Sequence, residues 1–311
     1  MKIMFMGTPE ISAMCLEALL GSSHEVIAVV SGEDKPRGRG NVMTPTPTKK
    51  LALERGIPVY TPKSLRTEEF ARILKEVAPE MIVVVAYGKI LPKNVIDFPP
   101  NGCLNVHVSL LPKFRGAAPM QRAIMEGEDK TGVTIMYMDE GLDTGDIILQ
   151  KEFDILPTDD FEAIHDRSAV EGSALLITAI DNIEAGRLTR TKQDDALATY
   201  AKKIEKEECK LDLTMPAKRL DCIIRGLTPI PGAYAMHNGK MLKIYRATPV
   251  ECTRGEVGEV VDVNAKGEGS FTVKCGEGAL TVTGVIPEGK GRMSAGDFIR
   301  GRKIALRDIL E

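Results

Sequence analysis

Three short runs of apolar residues constrain this chain more than any other feature. They are Lys2–Met6, apolar after its first residue, then Val26–Val30, and the run MIVVVA over Met81–Ala86. Each has the length of a strand and almost no polar position, so as a strand each must be buried on both faces. Between the first two, the spacing of Ile11, Met14, Cys15, Ala18 and Leu19 predicts a helix, and Pro9 suits its first turn. This opening predicts an α/β fold: a mostly parallel sheet with helices on both faces.

The alternation continues along the chain. Leu51–Arg55, Phe70–Val77, Met120–Met125 and Phe161–Ile183 read as helices. Val59–Tyr60, Leu104–Val108, Gly132–Met138 and Ile147–Lys151 read as strands. Residues 189–206 are polar and read as a surface linker between a first domain, 1–188, and a second, 207–311. In the second domain one helix, Ala217–Gly226, precedes alternating strands over Met241–Arg246, Val257–Val263, Ser270–Lys274 and Ala279–Val285. Glycines separate these strands, which predicts a small antiparallel barrel.

Several function classes drop out. The turn after the first strand is Gly7-Thr8-Pro9-Glu10 rather than a G-x-G-x-x-G loop, which argues against a dinucleotide pyrophosphate site. Six scattered cysteines with no C-x-x-C pair argue for reduced thiols in a cytoplasmic protein. The opening Met1–Met6 is too short for a leader's apolar core, and no apolar run approaches the ~18 residues that a bilayer demands. A net charge of −3 demands no polyanionic partner, although the basic excess beyond residue 206 permits one.

The chemistry gathers in Asn101–Ile148. Asn105-Val106-His107-Val108 alternates as a strand does, so Asn105 and His107 share a face, roughly 6.6 Å apart along it. Downstream, the run from Asp139 to Asp146 is acidic, and its Asp143 is held between two glycines, Gly141 and Gly145. Acyl transfer to an amine requires a stabilised oxyanion and a route for a proton. An amide can donate to the oxyanion, and an imidazole is the side chain that titrates near neutrality. Asp143 can orient the imidazole or hold a water in the relay. The turn after Met81–Ala86, Tyr87–Pro92, lies at a strand's carboxyl end, where ligands of open α/β sheets bind.

Other readings of these residues are weaker. Asp139-x-Gly141-x-Asp143 hints at a calcium loop, but Thr144 and Gln150 stand where its glycine and bidentate glutamate belong. The four histidines match no zinc ligand spacing, so no metal is expected. Residues 31–50, carrying Lys35, Arg37, Arg39, Lys49 and Lys50, read either as a flexible solvated loop or as an arm that contacts phosphates.

The segment SLLPKFRGAAPMQR, preceded by NVH and followed by GVTIMYMDEGLDTGDI, resembles the folate-dependent formyltransferases. MGTPE, DKPRGRG, VVAYGKILP and PIPGAYA extend the resemblance over essentially the whole chain, and to the branch acting on aminoacylated initiator tRNA. It implies a Rossmann-like catalytic domain that takes 10-formyltetrahydrofolate and releases tetrahydrofolate. It also implies an OB-like domain that binds initiator methionyl-tRNA, in a cytoplasmic monomer. By motif match Asn105, His107 and Asp143 are the catalytic set, and Ser109, Leu110, Leu111, Pro112, Tyr87, Gly88, Ile90 and Asp139 meet the folate. Lys35, Arg37 and Arg39 meet the tRNA acceptor end. Val108 replaces the family's usual Gly, Gly32-Glu33 the usual Gln-Pro, and Phe114 the common Trp. A formyltransferase for an amino sugar nucleotide would share the catalytic three without needing the basic loop. An RNA-binding module with a silent first domain would not need the three at all.

Overall fold

The computed structural model describes residues 1–37, 40 and 42–311, and the apolar runs lie side by side in one sheet. Strand β1 (Lys2–Gly7) leads through helix α1 (Glu10–Leu20) to β2 (Glu25–Val30). A short antiparallel pair, β3 (Lys35–Arg37) with β4 (Val42–Thr44), precedes α2 (Pro47–Glu54) and β5 (Val59–Tyr60). Next come α3 (Glu68–Val77), β6 (Met81–Val85), α4 (Lys93–Ile96) and β7 (Cys103–His107). They are followed by β8 (Arg115–Gly116), α5 (Pro119–Met125), β9 (Lys130–Tyr137), β10 (Ile147–Asp154), α6 (Phe161–Glu184) and β11 (Tyr200–Ala201).

The seven-stranded sheet has the order β10-β9-β7-β6-β1-β2-β5. The strands from β7 to β5 are parallel, as the apolar runs imply, and β9 joins β7 antiparallel. A backbone hydrogen bond from Tyr137 to Asp146 closes β9 and β10 as a hairpin. Two-residue alternation explains why the runs carry no polar residue. Ile3 and Phe5 enter one core with Leu16 and Leu19 of α1 and Leu176 and Ile180 of α6. Met4 and Met6 enter a second core with Phe70 and Leu74 of α3 and Val95 of α4.

Local chemistry sets the helix boundaries. Thr67 caps α3 by accepting from the Phe70 N–H, Glu68 and Glu69 occupy its first turn, and Lys75 its last. Thr46 caps α2 in the same way, with Pro47 in its first turn, so this helix starts four residues before the apolar pattern suggests. The described residues of the basic stretch 31–50 include paired strands and a helix start. The base of the stretch is closed by a 2.6 Å hydrogen bond between the buried hydroxyls of Ser31 and Thr46, and β3 pairs with β4 inside it.

The chain divides into two compact units. The first comprises Met1–Pro119, Thr131–Phe153 and His165–Ala201; the second comprises Met120–Lys130, Asp154–Ile164 and Lys202–Glu311. The polar stretch read as a linker is therefore divided between them. Thr191 pairs with Ile147, and Tyr200–Ala201 pair with Arg115–Gly116, inside the first unit.

The second unit contains α7 (Ala217–Leu227), β12 (Tyr234–His237), β13 (Lys240–Val250) and β14 (Val260–Asn264). It continues with β15 (Ser270–Lys274), β16 (Ala279–Pro287), β17 (Met293–Ser294) and α8 (Ala295–Arg300). Its sheet runs β12-β13-β16-β15-β14, with β17 on β16, around a core of Leu220, Ile224, Leu242, Phe271, Leu280 and Val282. Among the described residues no ladder joins β12 directly to β14. Backbone hydrogen bonds from the segment 307–311 reach Met236 on one edge and Gly258 and Val260 on the other. No helix among the described residues is long and apolar enough to cross a membrane.

Phe5 is fully buried on β1, between β2 and β6. Phe5→Ala should cost about 3–5 kcal/mol of stability, read as a lower urea midpoint with an unchanged slope.

Candidate active site

Strand β7 distributes its side chains as the alternation requires. Leu104 and Val106 face the core built with α1 and α6, so Asn105 and His107 take the opposite face with Cys103. His107 is 6% exposed and Asn105 half-buried. The Asn105 amide makes no intramolecular hydrogen bond among the described residues. The imidazole sits between two acceptors. Its Nε2 lies 3.1 Å from the carbonyl oxygen of Phe114, and its Nδ1 lies 3.6 Å from Oδ2 of Asp143. A neutral ring can direct a proton at only one of them, so the ring has an oxygen ready on either side for a second.

Asp143 reaches this position from the loop between β9 and β10. The Gly116 N–H donates to its Oδ2 at 2.8 Å. Its backbone has φ +53°, a left-handed conformation that costs a non-glycine residue roughly 1–2 kcal/mol. Two glycines permit the arrangement. A Cβ on Gly145 would fall 1.8 Å from the Tyr137 carbonyl oxygen, and one on Gly116 would fall 2.8 Å from that of Ala201. Asp139 stabilises the loop from within, since its Oδ1 accepts from the Gly141 N–H and the Thr144 hydroxyl.

The turn after β7 is held from behind by Thr134 on β9. The Thr134 hydroxyl donates to the Ser109 carbonyl at 2.7 Å and accepts from the Leu111 N–H and from the Gln150 amide. Gln150 also donates to the Leu111 carbonyl, and the Ser109 hydroxyl donates to the Lys113 carbonyl. Ser109 and Leu111 are buried, whereas Leu110 and Pro112 are half-buried. At the end of β6, the Tyr87 carbonyl accepts from the Thr8 hydroxyl, which ties it to the turn after β1. The Tyr87 phenol is buried without a hydrogen-bond partner among the described residues, and burial pushes its pKa up to about 12. Gly88 follows at φ +79°, and Ile90 is exposed.

Of the basic residues, Lys35 is exposed on β3 and Arg37 belongs to the same strand, while Arg39 lies outside the described residues. Lys49 is committed to an ion pair with Asp34 at 2.8 Å. Four residues close to the site escaped the sequence reading: Thr134, Gln150, Arg115 and Gln193. Gln193 lies in the polar stretch and reaches back some fifty positions to the Asp143 loop, a distance at which no local pattern operates. Among the described residues one group could offer ligands to a cation, His24 with Asp181 and Glu184, but these side chains pair with one another and with the Met1 amine.

Residues 1–180 match the formyl transferase family, and residues 203–303 match the formyl transferase C-terminal domain. The methionyl-tRNA formyltransferase of Geotalea daltonii is 45% identical over 98% of this chain and 96% of its own. That of Parvibaculum lavamentivorans is 46% identical over 97% of each. Among solved structures, the fold is similar to an N-formyltransferase from Helicobacter canadensis in complex with folinic acid and dTDP-3-aminofucose. That match has a TM-score of 0.67 and 20% identity, covering 91% of this chain and 98% of that one. It is also similar to HypX from Aquifex aeolicus in complex with tetrahydrofolic acid, with a TM-score of 0.65 and 18% identity, over 99% of this chain and 48% of that one.

Thr134→Val keeps the side-chain volume but leaves the Leu111 N–H and the Ser109 carbonyl unpaired. It should cost about 1–3 kcal/mol in chemical denaturation, with Thr134→Ser recovering most of the loss.

Proposed function

The chain belongs to the formyl transferase family, and from that membership we propose that it formylates the methionine carried by initiator tRNA. The donor is 10-formyltetrahydrofolate, and the acceptor is the α-amino group of the esterified methionine. The products are N-formylmethionyl-tRNA for translation initiation and tetrahydrofolate. The observation that carries the chemistry is the approach of Asp143 to His107 at the carboxyl end of β7, with Asn105 on the same face of that strand.

The neutral amine attacks the formyl carbon, and the carbonyl oxygen takes the electron pair. Asn105 donates its uncommitted amide N–H to that oxyanion. The attacking nitrogen must lose a proton, and N10 of the folate must gain one as its bond to carbon breaks. His107 takes part in this transfer, with the Asp143 carboxylate stabilising the charge that the imidazole acquires. No proton or electron is left over, so the reaction needs no redox partner.

The folate is read as lying against Leu110, Pro112 and the Tyr87–Ile90 turn, with Ser109, Leu111 and Asp139 shaping the loops that meet it. The region 1–188 is the catalytic domain and 207–311 the tRNA-binding domain, with 189–206 between them. We read the second unit as an OB-like barrel, supported by the hydrogen bonds that 307–311 makes to both sheet edges. Lys35, Arg37 and Arg39 are read as phosphate contacts on the acceptor end, and the protein as a cytoplasmic monomer whose free thiols suit a reducing compartment.

The test is purified protein with 10-formyltetrahydrofolate and charged initiator tRNA, scored for formyl-methionine. His107→Ala and Asp143→Ala should each lower kcat by roughly 10²–10⁴-fold with the fold intact by circular dichroism. Activity near wild type in both would sink the assignment. Arg39→Ala should weaken tRNA use and reduce the salt-dependence slope by about one. An unchanged slope would remove Arg39 from the phosphate contacts.

A further inference from the structure

Asp143 is held by more than its carboxylate. Its backbone carbonyl accepts from the side-chain amide of Gln193 at 2.8 Å, and the same amide nitrogen donates to the Gly145 carbonyl, also at 2.8 Å. The Gln193 oxygen in turn accepts from Nε and Nη2 of Arg115, at 3.0 and 2.8 Å. Both protons and both lone pairs of this amide are therefore in use. Its orientation is settled by its partners, because a guanidinium offers only donors and backbone carbonyls only acceptors.

The guanidinium that anchors it is built into the protein. Arg115 is 2% exposed, and its charge is answered by Asp195 at 2.8 Å, which is itself 82% exposed. A buried guanidinium is costly unless its donors are met, so Arg115 holds Gln193 in one rotamer rather than several. Arg115 is also the residue before Gly116, whose N–H holds the Asp143 carboxylate. The two ends of Asp143 are thus referred to consecutive residues of one strand, β8, which pairs with Tyr200–Ala201 of β11.

We propose that Gln193, fixed by Arg115, is a positioning residue for formyl transfer. It ties down the Asp143 and Gly145 carbonyls, holds Asp143 in its left-handed conformation and so sets the carboxylate against His107. This rests on the catalytic reading of Asp143 above. It gives the polar segment 191–201 a role as the back wall of the active-site loop. Asp143 at φ +53° needs an external hold, and the bifurcated donation to its own carbonyl and that of Gly145 supplies one. A slackened loop leaves the ground-state fold and the Leu110, Pro112 and Tyr87–Ile90 faces of the formyl-donor site in place, but moves the carboxylate off the imidazole. A displacement of about 1 Å is enough to cost up to about 10²-fold in rate.

Gln193→Glu separates this role from simple packing. A glutamate keeps an oxygen that accepts from both Arg115 N–H groups, and with it the cover over the buried charge, but turns an acceptor instead of an N–H toward the two loop carbonyls. The expected result is a thermal midpoint close to wild type and faster amide hydrogen exchange at residues 141–145. The kcat should fall about tenfold or more, with KM for the formyl donor within about threefold of wild type. In an Asp143→Ala background the same substitution should cause no further loss of kcat, because its effect passes through that carboxylate. Gln193→Met, which removes all four hydrogen bonds at similar volume, serves in the same two backgrounds if the glutamate variant does not fold.

Wild-type kcat in Gln193→Glu would overturn the proposal. So would losses that multiply with those of Asp143→Ala, which would place the effect of Gln193 elsewhere. If Asp143→Ala itself kept wild-type activity, the catalytic reading would fall first, and the role of Gln193 with it.

Discussion

A strand buried on both faces can carry polar side chains only near its ends. In the first unit that constraint governs β1, β2 and β6, whose alternating residues enter two separate cores. Strand β7 obeys it on one face with Leu104 and Val106, and breaks it on the other with Asn105 and His107. Two polar residues on one face at a strand's carboxyl end are tolerated because the sheet opens there onto loops. The position of the chemistry follows from the geometry of burial before any specific interaction is considered.

The loops themselves depend on hydrogen-bond saturation. Thr134 is fully buried, and it is affordable there only because its hydroxyl both donates and accepts around the Ser109–Leu111 turn. The Tyr87 phenol is the contrasting case, buried without a partner among the described residues and held protonated by that burial to about pKa 12. Folding stability attached to this proton is complete below the unfolded value near 10 and is lost as pH rises from there through about 12. This lies far from neutrality, so Tyr87 adds no pH dependence where the enzyme works.

Much of the molecule was legible in the sequence. The apolar runs gave away the parallel strands, and alternation put Asn105 and His107 on one face. Motif resemblance added Asp143 and the formyl transfer itself. Two elements were read too simply. The basic stretch 31–50 holds the β3–β4 ladder, because Ser31 and Thr46 close its base with a hydroxyl pair that carries no periodic signature. The polar stretch 189–206 looked like a tether because its composition is that of a solvated loop. Yet Gln193 and Asp195 both accept hydrogen bonds from a buried arginine about eighty residues away.

The division between sequence and tertiary structure has a physical basis. Secondary structure and the faces of each element are set by interactions among near neighbours in the chain, so periodicity and caps reveal them. Identity as a formyl transferase is likewise a property of motifs that survive without their context. The shape of the Asp143 loop is different. It is determined by donors from Gly116 and Gln193 that approach only once β8, β11 and the β9–β10 hairpin have assembled. The sequence named the candidate site residues, and the tertiary structure decided what holds them in place, because the hydrogen bonds that do so join segments with no local relation to one another.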